Sequence, residues 1–218
     1  LGSIKSFYKK NKNAPLLLTG FNRRFSPHIS HIKEMVSNRS NPMIINYRMN
    51  AGHVLNDNWV HGKEGGGRNL GEACHIYDVF THLTDSKVNK INAHSINPVT
   101  DYYGVTDNFV SVMSFEDGSV ATLTYNALGA KDYAKEQMEI YFDGKVIKLD
   151  DYLSVDIYGV SNSGLNTKTM QKGQTQEIKA FGEAILNGGE WPIPFWQQVQ
   201  ATEIAFEVEK QISNNSID

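Results

Sequence analysis

The chain has 218 residues, 40% of them hydrophobic and 21% charged, enough to bury a sizeable core as one large domain or one domain with a short appendage. Its net charge of −3 and its scattered Lys and Arg argue against a nucleic-acid partner, because phosphate neutralisation needs clustered cations. A single cysteine, Cys74, excludes an internal disulfide framework and a thiolate zinc site and fits a reducing cytoplasm; no apolar run approaches the roughly 18 residues of a membrane helix.

Ile4 to Lys10 carry a short polar helical pattern, and the basic stretch Lys5 to Lys12 reads as a solvated helix face. Ala14-Pro15 breaks that pattern before an apolar run, Leu16 to Phe21, that reads as a buried strand. Ser26-Pro27 then caps an amphipathic helix reaching about Val36. Strand and helix together read as the last β-α step of a larger α/β sheet, so residues 1–40 are expected to be the remnant of one domain and residues 41–218 a second.

Met43 to Met49 alternates as a strand and leads into a loop rich in Asn, His, Trp and Gly up to Gly67. From Asn69 to about Leu83, the residues Leu70, Ala73, Cys74, Tyr77, Phe80 and Thr84 share one side at helical spacing. The period then changes to two. Val88 to Ile96, Asn108 to Phe115, Ser119 to Leu128, Glu136 to Phe142, Lys145 to Leu149 and Leu153 to Tyr158 read as strands, with hairpin turns at Asp117-Gly118 and Asp143-Gly144. Six strands in succession imply an α+β fold: a large open, mostly antiparallel β-sheet with helices packed on one face. Its outward residues, such as Val110, Val112 and Tyr125, are not uniformly polar, which makes the sheet face a candidate surface for a homo-oligomer. Helices at about Gln174 to Leu186 and Phe195 to Ile212, divided by Gly188-Gly189 and by Pro192 and Pro194, close the chain.

Several motifs fail on inspection. The run Gly65-Gly66-Gly67-Arg68-Asn69-Leu70-Gly71 is no dinucleotide fingerprint, because Leu70 stands at the third glycine position and a polar loop precedes it. Gly62-Lys63 and Gly144-Lys145 do not complete a phosphate loop, and no Gly-x-Ser-x-Gly elbow occurs. His28 and His31 lack a third metal ligand, and Glu72-x-x-His75 lacks the second copy a di-iron site requires.

What survives is the segment from Trp59 to Asp78. Three glycines give a backbone that can approach a ligand closely, and they feed a helix N-terminus whose free amides favour oxygen-rich groups. Winding that helix at about 100° per residue places Gly71, His75, Asp78 and His82 on one flank, with Glu72 further round. A histidine there can exchange a proton near neutral pH, or it can merely bond a carbonyl at the edge of the core.

The order of Gly65-Gly66-Gly67, Leu70-Gly71, His75 and Asp78 resembles the Gly-Gly-Gly, helix, His, Asp segment of the glucose-fructose oxidoreductase / inositol dehydrogenase (Gfo/Idh/MocA) family. Asn22-Arg23-Arg24-Phe25-Ser26-Pro27, Asp107-Asn108, Phe115-Glu116-Asp117-Gly118-Ser119 and Gly129 extend the resemblance from about Leu16 to Ile212. It implies that residues 1–40 end a dinucleotide-binding Rossmann domain and that 41–218 form a substrate-binding and oligomerisation domain. It also implies NAD or NADP in the full-length protein, none bound to this piece alone, and a Glu-Lys-Pro motif expected just upstream of Leu1. His75 matches the family histidine that acts on the substrate hydroxyl being oxidised. The usual aspartate four residues earlier is replaced by Gly71, with Glu72 one step on as its substitute in the catalytic pair. Arg24, Gly66, Gly67, Arg68, Asn69, Gly71 and Asp78 are the substrate-facing set that follows, Arg24 being open to a second reading as a solvated loop arginine. The Gly-Glu-x-x-His form is similar to members acting in bacterial surface-polysaccharide chemistry, which implies a sugar or nucleotide-sugar substrate. A catalytically silent binding or oligomerisation module on the same sheet is the alternative.

Overall fold

The computed structural model describes residues 1–11, 13–161, 164–188 and 190–213; Lys12 of the basic stretch and Gly189 of the glycine stop lie outside them. Alternating burial along the strands sets the architecture. In β1 (Ile44–Asn50) the side chains of Ile45, Tyr47 and Met49 are buried while Ile44 and Asn46 are exposed. The same alternation recurs in β3 (Phe109–Phe115), β4 (Val120–Asn126) and β5 (Glu136–Phe142). With β2 (Val88–Ser95), β6 (Lys145–Asp150), β7 (Ser154–Tyr158) and the short β8 (Leu165–Asn166), they form one eight-stranded sheet in the order β2-β3-β4-β1-β5-β6-β7-β8. Every pairing is antiparallel except β1 with β4, which run parallel because β1 is inserted between β4 and β5. Asp143 and Gly144 both have positive φ, the backbone of a tight turn matched to strand twist.

Helices α2 (Pro27–Val36), α3 (Cys74–Thr84) and α5 (Phe195–Ser213) cover the buried face. Ile29, Ile32, Ile76, Val79, Phe80, Leu83, Ile204 and Val208 join the inward strand residues in one core. Each such side chain contributes about 1.5–3 kcal/mol on burial. Pro27 opens α2, and the Ser26 hydroxyl accepts from the His28 amide at 3.2 Å, as its cap sequence predicts. Two more helices, α1 (Gly2–Lys10) and α4 (Gln174–Asn187), lie where the sequence places them. No helix among the described residues is long and apolar enough to cross a membrane.

Three expectations change. Leu16 to Phe21 forms no strand and pairs with none among the described residues; Gln198 satisfies part of its backbone instead, accepting from the Thr19 amide at 2.8 Å and donating to the Leu17 carbonyl at 3.0 Å. Helix α2 packs Ile29, Ile32 and Val36 into the core beneath the large sheet. Tyr125 faces inward, not outward, because Ala121, Leu123 and Tyr125 alternate on the buried side; its ring stacks on Phe109 at 5.2 Å. The helix expected from Asn69 begins as a wide π-helical turn, Asn69–Ala73, before α3.

Candidate active site

The 3-10 turn Asn22–Phe25, the loop after β1, the start of the α3 segment, and the residues ahead of β5 and α4 converge on a cleft of about 430 Å³. Gly66 and Gly67 hold left-handed backbone, at φ +70° and +82°, which turns the loop back toward the helix. Gly71 permits this closeness: a Cβ there would stand 2.9 Å from the Gly65 carbonyl oxygen, so the aspartate usual at this position would crowd the loop.

His75 lines the cleft wall. Phe21 meets its ring edge-on at 5.9 Å, and its buried Nδ1 has no hydrogen-bond partner among the described residues. Burial, followed by the neighbouring Arg23 guanidinium, pushes its pKa down to about 4, so the imidazole is neutral at pH 7. A neutral ring can accept a proton from a hydroxyl.

Glu72 also lines the cleft but serves other partners. It accepts from the Tyr125 hydroxyl at 2.6 Å and from Lys135 Nζ at 2.8 Å, and it pairs with Arg68 at 3.0 Å. Burial would raise its pKa, but these cations and hydrogen bonds hold it below the usual carboxylate range. The expected Glu72–His75 pair does not form a direct bond. The wide turn at Asn69–Ala73 breaks the uniform winding that the sequence reading assumed.

A second carboxylate, Glu136, stands behind the wall and was missed in the sequence. Arg23 donates to it through Nε at 2.8 Å and Nη2 at 3.2 Å, Lys172 Nζ at 2.5 Å and the Tyr47 hydroxyl at 2.6 Å. Burial opposes ionisation of Glu136, but Arg23 and Lys172 outweigh it and bring the pKa down to about 2. Arg23, Lys135, Lys172 and Trp59 all line the cleft. Only Trp59 lay in the segment singled out by sequence; the others arrive through pairings distant along the chain.

Arg24 and Asp78, expected on the substrate side, are shut behind the wall. Arg24 Nε donates to Asp78 Oδ2 at 2.9 Å and Nη1 to Gln197 at 2.6 Å; Arg24 is 4% exposed and Asp78 0%. The 3-10 turn separates adjacent arginines, sending Arg23 to the cleft and Arg24 to the core. Asn69 is also fully buried, taking a hydrogen bond from Tyr77 and donating to the Ala205 carbonyl and Glu209. His82, on the same flank of α3, is depressed to about 3 by burial and by Arg24, and does not line the cleft. Of the expected substrate-facing set, Gly67, Arg68 and Gly71 reach the cleft beside His75 and Glu72, while Gly66 supplies the turn.

The triglycine loop is not itself a dinucleotide cradle. The triglycine run feeds a π-helical turn occupied by Leu70, and a Cβ on Gly65 would strike the Val60 carbonyl at 2.4 Å, so this backbone packs against its own loop and leaves no pyrophosphate cradle.

A mixed eight-stranded sheet with helices on one face defines an α+β domain, and sequence similarity gives its family. The family model for the GFO/IDH/MocA C-terminal domain matches residues 31–148, more than half of the chain, and the chain belongs to this family. The uncharacterized oxidoreductase YrbE of Bacillus subtilis (strain 168) is 24% identical over 216 residues, covering 93% of this chain and 62% of YrbE. The chain thus spans about three fifths of that curated relative's length. UDP-N-acetylglucosamine 3-dehydrogenase GnnA from Acidithiobacillus ferrooxidans superposes with a TM-score of 0.76 at 16% identity, over 96% of this chain and 65% of GnnA. Levoglucosan dehydrogenase, solved with NADH and levoglucosan, superposes with a TM-score of 0.75 at 17% identity, over 97% of this chain and 69% of that enzyme. At these identities the likeness establishes the fold.

Proposed function

We propose that this chain forms the substrate side of an NAD(P)-dependent oxidoreductase acting on a hydroxyl or keto group of a sugar or nucleotide-sugar. Within that reading, residues 1–40 end the dinucleotide-binding domain and residues 41–218 supply the pocket. The observation that carries it is His75: a neutral imidazole on the wall of a polar cleft of monosaccharide scale. The nicotinamide, when bound, supplies hydride acceptance. His75 takes the hydroxyl proton, and the Phe21 contact fixes the plane of its ring. Trp59, 70% exposed at the cleft, offers an apolar ring face to the C–H side of a sugar. Glu72 acts as a positioning residue that holds Arg68, Lys135 and Tyr125.

The test is NAD(P)-dependent turnover of a sugar panel by the protein that carries this chain, with and without His75→Ala. A loss of about a hundredfold or more is expected from removing a positioned acid/base group. Unchanged turnover would instead favour the silent module, the reading for which Gly71 in the aspartate position speaks.

The exposed face of the sheet, with Ile44, Val110, Val112 and Tyr141, is the surface we assign to a homo-oligomer. Sedimentation showing monomer alone at high concentration would remove that assignment. Cys74, whose thiol burial pushes up to about 12, suits the reducing cytoplasm expected for the protein.

A further inference from the structure

We propose that the cleft selects a substrate bearing an anionic group, a carboxylate or a phosphate, which docks on Lys135 and Lys172 while a neutral hydroxyl faces His75. This rests on the reading of the cleft as a sugar site and narrows the class of sugar.

Four cations line the cleft: Arg23, Arg68, Lys135 and Lys172. The carboxylates they contact are two, Glu72 and Glu136, so the wall carries a surplus of two positive charges. Asp78 does not reduce this surplus, because Arg24 cancels its charge. Asp151 takes the backbone amides of Lys135 and Glu136; counting its charge as well still leaves a surplus of one. The chain as a whole has a net charge of −3, so the excess is local to the cleft and does not follow from composition.

The two arginines are committed. Arg23 forks onto Glu136 with its side chain 7% exposed, and Arg68 is held by Tyr125 and Glu72 at the same exposure. The lysines are different. Each ammonium has three donors, and among the described residues each has a single carboxylate partner, Glu72 for Lys135 and Glu136 for Lys172. Their side chains are 39% and 17% exposed, so both reach the open volume with donors to spare. Partly desolvated cations with donors to spare, each sharing its one carboxylate with an arginine, form a receptor for negative charge.

The probes are D-glucose, D-glucuronate, glucose 6-phosphate and inorganic phosphate, titrated calorimetrically into the protein that carries this chain at low salt. Glucuronate or glucose 6-phosphate is expected to bind about tenfold or more tighter than glucose, the scale of one charge-assisted hydrogen bond. Whichever of the two binds tighter identifies carboxylate or phosphate as the group. Lys135→Gln and Lys172→Gln should each lower the affinity for the charged sugar about tenfold more than the affinity for glucose, so that the ratio of the two falls toward one. Should K172Q weaken folding by stripping a partner from Glu136, raising the salt on the unmodified chain provides the second measurement, and the advantage should shrink. Glucose binding as tightly as both charged sugars would overturn the inference and leave the sugar reading standing. Inorganic phosphate binding as well as glucose 6-phosphate would also overturn it, as an anion site that does not read the sugar. No binding by any of the sugars would bring down the sugar reading, and the inference with it.

Discussion

Replacing Glu136 with Gln tests whether the charge network behind the cleft organises the domain. Its carboxylate is fully buried and takes four hydrogen bonds, from Arg23 twice, Lys172 and Tyr47. Gln keeps the shape and one acceptor but leaves the 7%-exposed Arg23 beside an uncharged partner. Breaking a buried pair in this way costs about 3–5 kcal/mol. The depressed pKa of the native group points the same way: a fall from 4.5 to about 2, at about 1.36 kcal/mol per pH unit, corresponds to roughly 3 kcal/mol favouring the ionised form. Because the folded value is depressed, this stability is fully present above pH 4.5 and is lost as pH falls toward about 2. Urea unfolding followed by circular dichroism, at pH 7 and at steps down to pH 3, reads both quantities. The variant should lose about 3 kcal/mol or more at pH 7 and show a weaker acid dependence below 4.5. A loss under about 1 kcal/mol, with the acid dependence unchanged, would refute the reasoning.

Arg24→Met should destabilise the chain by about 3–5 kcal/mol by leaving Asp78 buried and unpaired, and adding Asp78→Leu should recover much of it. A double-mutant cycle by urea unfolding measures this; unchanged stability with altered sugar affinity would return both residues to the substrate side. The ring protons of His75 should titrate in nuclear magnetic resonance with a midpoint near 4, far below the ordinary 6.5, with His82→Gln used to separate the second depressed histidine. Since the unfolded ring takes its proton at 6.5 and the folded ring resists to about 4, this group costs stability as pH falls between those values. A midpoint at 6 or above would show that the ring is solvated and the cleft wall open.

Strands β1, β3, β4 and β5 were legible because each alternates over one buried face, and Asp143-Gly144 announced its own hairpin; the two-residue β8 is too short to show a period. The parallel pairing of β1 with β4 was not, since a 76-residue separation, as between Asn46 and Thr122, leaves no local trace. The apolar run Leu16 to Phe21 looks like a strand by composition, but composition cannot say whether a neighbour is there to pair with it. At the site, the triglycine and His75 were readable as a backbone approach and a titratable ring. The roles of Arg23 and Arg24 were not, because a single turn decides which of two identical neighbours meets the cleft. Lys135 and Lys172 carry no local signal in the sequence, because only the fold sets them opposite Glu72 and Glu136.

The most direct measurement is a crystal structure of this chain with a bound charged sugar. The sugar should lie in the cleft beside Trp59, with one hydroxyl about 2.6–3.2 Å from a ring nitrogen of His75 and its anionic group on Lys135 or Lys172. A sugar seated elsewhere, with the His75 ring turned to protein atoms alone, would contradict the role given to this histidine.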